Sequence, residues 1–318
     1  MRSAMFLSDL TVVDHAYIDD HGKLIGGSFN PSFIVSGEVD EVEHVVVDFS
    51  TIKKDIKGLI DHNDFGFDHK LWIIDGWSHA TIELMDNIGE DRYLITTPFN
   101  EFNVPVNAVK VIDRSDASSY NVEEIGKAFE FFVAGELNRM YPDVEIHVSC
   151  INNTNRHTIA DDEAGNLHTT EFRYAHGLKD STSWGCQNIA HGHLSFVQVL
   201  NFNHNITGLL NLRCAIIDLA KENIIFVKRE NVVVENEDNL YVSYQSHSRG
   251  PFSATLGKEH QNIIVLDTET TIEHLVDFIA DRLSDELQAL VKADNDPLIL
   301  FVSEGLSKGA CVRITKNQ

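Results

Sequence analysis

The feature that most constrains the fold is a recurrence: one succession of amphipathic helix and β-like run occurs twice, about 150 residues apart. Residues 121–140, NVEEIGKAFEFFVAGELNRM, carry Val122, Ile125, Phe129, Phe132 and Val133 at helical spacing. Residues 271–290, TIEHLVDFIADRLSDELQAL, carry Ile272, Leu275, Ile279, Leu283 and Leu287 in the same way. Asn121 and Thr271 are N-cap residue types, and Glu124 and Glu273 put an acid in each first turn, where the helix dipole favours negative charge. Each helix leads into a β-like run, VEIHVSC at 144–150 and PLILFVSE at 297–304.

Further matches recur in the same order. HVVVDFSTIKK (44–54) resembles CAIIDLAKENI (214–224), each read as an apolar strand, an Asp and a helix start. MDNIGEDRYLITTPF and VENEDNLYVSYQSHS both read as an acidic turn entering an alternating strand, and NPSFIVSG (30–37) aligns with HLSFVQVL (193–200). The offsets run from about 148 to 170 residues, as diverged copies with loop insertions require. We therefore expect two units, 1–163 and 164–318, with the boundary in the polar, turn-like stretch at 161–167. Each half reads β-hairpin, helix, further strands, helix, β-hairpin. That is an α+β class with an antiparallel sheet and helices packed on one face.

Charge narrows the function classes. With 25 basic against 49 acidic residues the formal net charge is −24, opposite to the basic face of a general nucleic-acid binder. No run of about 18 apolar residues offers a membrane span, and no basic stretch followed by an apolar core opens the chain. The expectation is a cytoplasmic protein with neither nucleic-acid nor membrane partners. The four cysteines, Cys150, Cys186, Cys214 and Cys311, form no C-x-x-C pair and no disulfide framework.

The chemistry concentrates in TEFRYAHGLKDSTSWGCQNIAHGHLSFV, residues 170–197. His191 and His193 lie two apart in an expected strand, so both imidazoles face one side. His176 sits 15 residues before His191, in a strand able to pair with theirs. Three imidazoles on neighbouring strands can present three nitrogens to Zn²⁺ and leave a fourth position open. A His-x-His alone is more often structural, and spacing by itself leaves both readings standing.

F-x-Y-A-H followed by Cys-(x)4-His-Gly-His resembles the zinc motif of the 6-pyruvoyl-tetrahydropterin synthase family, which includes the 6-carboxytetrahydropterin synthases of queuosine biosynthesis. The resemblance implies two tandem tunnelling-fold units. It implies His176, His191 and His193 as ligands to a Zn²⁺ cofactor and Cys186 as the catalytic thiol. Glu304, after the last apolar strand, matches the pterin-anchoring glutamate, and Thr271 with Glu273 matches the family's substrate-binding helix start. The family's Asp-His pair has no counterpart after Asp218; in the first half, Asp61 and His62 stand where it is expected. Each half thus lacks what the other has, so the resemblance implies one composite site between them. The implied activity is conversion of 7,8-dihydroneopterin triphosphate to 6-carboxytetrahydropterin or 6-pyruvoyltetrahydropterin by a homo-oligomer. The alternative is a non-catalytic zinc- and pterin- or purine-binding protein.

Overall fold

The computed structural model describes the chain apart from residues 1, 76–78, 88–89, 114–121, 152–166, 201–205, 222, 292–297 and 317–318. The first stretch runs β1 (Arg2–Leu7), β2 (Val13–Ile18), β3 (Leu24–Glu38), α1 (Phe49–Ile60), β4 (Lys70–Asp75), β5 (Thr81–Asn87), β6 (Glu90–Thr96), β7 (Asn100–Pro105), β8 (Val109–Asp113), α2 (Val122–Met140) and β9 (Val144–Ile151). It continues with β10 (Leu167–His176), β11 (His191–Leu200), α3 (Ile206–Leu219), β12 (Ile224–Lys228), β13 (Val232–Glu235), β14 (Asn239–Gln245), β15 (Pro251–Gly257) and β16 (Asn262–Leu266). The chain closes with α4 (Ile272–Arg282), α5 (Ser284–Leu290), β17 (Leu298–Glu304) and β18 (Lys308–Ile314). The class is α+β, and no described helix is long and apolar enough to cross a membrane.

Three sheets result. One has the order β1-β3-β2-β4-β8, with β9 also on β3; a second has the order β16-β12-β10-β11-β17-β18. The sequence reading expected antiparallel sheets, but both of these are mixed. β2–β4 and β4–β8 pair parallel, as do β10–β12 and β12–β16. The reason lies in the connections: a helix, α1 or α3, carries the chain off the hairpin and over the sheet face, so the next strand enters on the far edge. The third sheet, β13-β14-β15-β7-β6-β5, is joined across the two stretches by the antiparallel β15–β7 pair.

Helices cover one face of each mixed sheet. Ile52, Ile56, Phe129 and Val133 from α1 and α2 pack with Phe33 and Trp72, while Leu212, Leu275 and Ile279 from α3 and α4 pack with Phe226 and Leu300. A third cluster, including Ala16, Leu71, Phe102, Ala175, Leu240 and Phe252, fills the space between the mixed sheets and the third sheet.

Several sequence expectations need adjustment. The helix at 122–140 is present; the Asn121 cap and most of the proposed boundary at 161–167 lie outside the described residues. The helix expected over 271–290 is two, parted at Leu283 (φ −104°, ψ 16°). CAIIDL is the end of helix α3, and the apolar Val45–Val47 precedes α1 without forming a strand. Both are short apolar runs, for which periodicity cannot separate helix, strand and buried loop.

One contact positions everything that follows: hairpin β2–β3 crosses hairpin β10–β11 backbone to backbone. A Cβ on Gly192 would come within 2.6 Å of Gly26 Cα, and one on Gly26 within 2.0 Å of the Tyr174 carbonyl oxygen. Only glycine allows that approach. Arg173 Nη1 donates to Gly26 O at 3.0 Å, and the Leu194 N–H donates to Ser28 Oγ at 3.0 Å across the same crossing.

Candidate metal and catalytic site

Strands β10 and β11 pair antiparallel with His176 opposite His191 and Tyr174 opposite His193. Alternation puts His191 and His193 on one face, and all three imidazoles are at most 1% exposed. Two of the rings turn Nδ1 to a carbonyl acceptor, and the third places it beside a carboxylate. His176 Nδ1 is 2.7 Å from Thr270 O, His191 Nδ1 is 2.9 Å from Asn188 O, and His193 Nδ1 is 3.2 Å from Asp14 Oδ1. Carbonyl oxygens only accept, so Nδ1 of His176 and of His191 carries the proton and their Nε2 atoms are left with bare lone pairs. His193 Nδ1 makes no hydrogen bond, and the Asp14 carboxylate beside it favours the same tautomer there.

Those lone pairs converge. His176 Nε2 and His193 Nε2 are 3.3 Å apart, and His191 Nε2, fully buried, has no hydrogen-bond partner. The three rings offer ligand atoms within 4.8 Å of one another. Lone pairs facing one another out of water repel unless a cation lies between them. Two nitrogens each about 2.0–2.1 Å from a tetrahedral ion stand about 3.3–3.4 Å apart, matching the observed separation. Burial, reinforced by the neighbouring His193, pushes His176 down to about 3, and burial holds His191 well below the ordinary histidine value. Neutral imidazole is the form a divalent metal binds. The donor set therefore fits Zn²⁺.

Beside it lies a second constellation. Cys186 sits in the short 3-10 turn Gly185–Gln187, whose position is fixed by the Leu178 N–H donating to Cys186 O at 2.8 Å. Cys186, His69 and His191 also offer ligand atoms within 4.8 Å of one another. His69 Nδ1 is 2.6 Å from Asp68 Oδ2. Burial opposes charge on the His69 ring, yet the Asp68 carboxylate and the Cys186 contact raise it well above the usual histidine value. Burial likewise opposes the Cys186 thiolate, while the neighbouring positive charge of His69 brings the thiol below its ordinary value. The arrangement is a thiol–imidazole–carboxylate series at the rim of the three-histidine centre.

The structure separates the remaining residues singled out from the sequence. Glu304 ends β17, is mostly buried, and pairs with Lys308 Nζ at 2.9 Å. Burial opposes its charge, but the Lys308 ammonium beside it holds the carboxyl below its usual range. Thr271 is the N-cap of α4 and its side chain makes no capping bond; the residue that reaches His176 is Thr270, through its carbonyl and, at 3.2 Å, its Oγ1. Asp61 and His62 belong to none of the donor groups among the described residues. Asp61 caps the end of α1 and accepts from Thr11 Oγ1 at 3.1 Å, and the His62 ring stacks on Phe65 with centroids 3.5 Å apart. The Asp-His pair beside the thiol is Asp68–His69. Its sequence signal was an Asp-His dipeptide directly before the strand KLWIID, whereas Asp61–His62 stops a helix.

Fold and site together describe an α+β protein with a histidine centre suited to a divalent metal. No protein-family model matches the chain, and no curated protein matches it. Among solved structures it is similar to 6-pyruvoyltetrahydropterin synthase from Plasmodium vivax, seen in a 2.2 Å crystal structure and in two catalytic-residue mutants. Each is 17% identical, covers 48% of this chain and 94% of its own, and superposes with a TM-score of 0.37.

Proposed function

We propose that this chain is a zinc-dependent lyase of the pterin synthase type, acting on a 7,8-dihydropterin triphosphate such as 7,8-dihydroneopterin triphosphate. Its product would be 6-pyruvoyltetrahydropterin or 6-carboxytetrahydropterin. The observation that carries the reading is the convergence of the three Nε2 lone pairs beside the Cys186–His69–Asp68 series. His176, His191 and His193 would hold Zn²⁺, which when bound polarises hydroxyl and carbonyl oxygens of the substrate side chain. Cys186, as thiolate, takes a proton from a side-chain carbon. His69, kept protonated beside Asp68, stabilises that thiolate by its positive charge. Glu304 accepts from the amino and ring N–H groups of the pterin, a bidentate arrangement suited to a carboxylate. Loss of triphosphate with proton shifts along the side chain oxidises the side chain as it reduces the ring, giving the pyruvoyl product without an external oxidant. The carboxy product also takes up water and releases the two terminal side-chain carbons as acetaldehyde.

We further propose that the chain is a tandem duplication of one tunnelling-fold unit. Support comes from the matching strand orders: hairpin, strand parallel to the hairpin's first strand, a second parallel strand, and an antiparallel strand on the hairpin's other side. On this reading the site is composite, with zinc ligands, thiol and pterin anchor from the second unit and Asp68–His69 from the first. Turnover of 7,8-dihydroneopterin triphosphate by zinc-loaded protein tests it, with Cys186→Ala and His69→Ala alongside. Product from the wild type that disappears in both variants supports the reading. Zinc and pterin binding without turnover would leave the non-catalytic binder in its place.

A further inference from the structure

Asp14, in β2, is 2% exposed and has no part in the chemistry just described. Its surroundings are nonetheless built around its side chain. Ser28 Oγ donates to Oδ1, and His193 Nδ1 lies 3.2 Å from the same oxygen. The wall behind is the turn after Glu304, where a Cβ on Gly305 would come within 2.5 Å of Oδ1. Its main chain is engaged as well. The Asp14 N–H donates to Asp68 Oδ1 at 2.9 Å, and the His69 N–H donates to Asp14 O at 2.6 Å. A buried carboxylate is expensive to keep out of water, and it persists where its partners need its charge and acceptor oxygens.

We propose that Asp14 is a positioning residue that locks His193 with Nδ1 protonated and Nε2 aimed at the metal, while its backbone clamps the Asp68–His69 pair to the same point. The proposal rests on the zinc-lyase reading above. One residue of the first half thus fixes two groups that must stand in register, a ligand on β11 and the Asp-His pair before β4. The two functions are separable. Asp14→Asn keeps shape, backbone clamp and a partner for Ser28, but removes the negative charge and can turn an amide N–H toward His193.

The test compares Zn²⁺ affinity, by chelator competition, in wild type, Asp14→Asn and His191→Ala, with the visible spectrum of the Co²⁺-substituted proteins as a second readout. Removing an outer carboxylate partner of a metal-bound histidine typically costs about 10–100-fold in affinity. That loss is expected for Asp14→Asn together with a shifted Co²⁺ spectrum. Wild-type affinity, within threefold, and an unchanged spectrum in Asp14→Asn overturn the proposal while leaving the metal reading intact. Equal affinities in wild type and His191→Ala sink the metal reading itself. If Asp14→Asn fails to fold, nitrogen-15 NMR of zinc-loaded wild type decides instead. A proton on His193 Nδ1, at lower field than those of His176 and His191, supports the proposal, and an unprotonated Nδ1 overturns it.

Discussion

His69 holds a left-handed backbone conformation, φ 55°, which costs a non-glycine residue about 1–3 kcal/mol. The surroundings impose it. The His69 N–H is tied to Asp14 O at 2.6 Å, and Gly185 makes room, since a Cβ there would stand 2.6 Å from His69 Cβ. Strain kept in this way beside a perturbed thiol marks a residue held for chemistry. His69→Ala is expected to lower kcat on the proposed pterin triphosphate by about 10²–10⁴-fold, whereas His62→Ala, at a residue that stacks on Phe65 away from the centre, leaves it within twofold. Alkylation of Cys186 followed by mass spectrometry checks the same contact. The wild-type thiol reacts as thiolate at pH values below its ordinary value of 9.0, and His69→Ala moves that midpoint upward. Lys70 gives a prediction of stability. It is fully buried, its Nζ donates to the Asn63 and Asp64 carbonyl oxygens, and burial, with Arg249 and Lys110 nearby, lowers it from 10.5 to about 7. The unfolded chain therefore binds the extra proton between these values, so Lys70 makes stability rise with pH through that window, by at most about 1.4 kcal/mol per pH unit. Denaturant melts at pH 7 and 9 should show a larger gain in wild type than in Lys70→Met; equal gains refute it. At this scale the spacing of the three histidines offered a possible ligand set without deciding for it, and Cys186 and Glu304 were reached only through the family resemblance. Asp68–His69, Asp14 and Thr270 were reached by neither, because their role lies in what crosses from another strand.

Hairpins and helices carry a different kind of information. The helix at 122–140 could be read from periodicity, since a long amphipathic pattern has one good burial solution, whereas β11, buried along nearly its whole length, was expected from its match to residues 30–37. The α3 segment could not: in CAIIDL the apolar residues are consecutive, and neighbours rather than pattern decide. Nor did the sequence announce the hairpin crossing, although its glycines stand in plain view. In His191-Gly192-His193 the histidines face the metal centre and the glycine faces the other hairpin, so one tripeptide builds the ligand set and sets the distance between the halves. Gly192→Ala or Gly26→Ala forces the backbones apart and is expected to cost more than about 2 kcal/mol, in the upper part of the overpacking range. Both should also weaken zinc binding, because Asp14 and His69 retreat with β2 and β4. Gly58→Ala is the control. It lies on the exposed face of α1 with nothing within 4 Å of its Cβ position. There alanine should stabilise by about 0.5–1 kcal/mol. Thermal melts of the three variants, with zinc titration, separate a loss of contact from a general intolerance of substitution.

At the scale of the whole molecule, the two stretches of the chain carry unequal sets of histidines, and one sheet draws strands from both. His15 of β2 is the first-half histidine nearest in kind to the metal ligands, yet it is packed as a core ring, stacked on Trp72 at 4.5 Å and edge-on to Phe29 at 5.3 Å. Burial lowers it to about 3, so it is neutral at any ordinary pH, and no described donor group includes it. The three-histidine centre predicts one zinc per chain by metal analysis, and two would point to the first-half group Asp14, Asp68 and His69, whose ligand atoms also lie within 4.8 Å of one another. The third sheet draws strands from both halves and ends in β5 on one side and β13 on the other, each without a further partner strand among the described residues. Both edges carry exposed apolar side chains, Leu84 on β5 and Val233 and Val234 on β13. An open edge with apolar residues is a template for another strand, and natural sheets protect such edges unless they are used. Edges at opposite ends of one sheet pair head to tail, which builds a closed ring of chains when the rotation closes. Light scattering on the purified protein should give a mass that is a multiple of 35.7 kDa greater than one chain, a trimer or a pair of trimers if six units complete a ring. Leu84→Lys or Val234→Lys should shift that mass toward the single chain at low concentration. The histidine centre, made within one chain, should keep its zinc as the ring comes apart. A wild type that is monomeric throughout, with the same mass in both lysine variants, would show that these edges are not where chains meet.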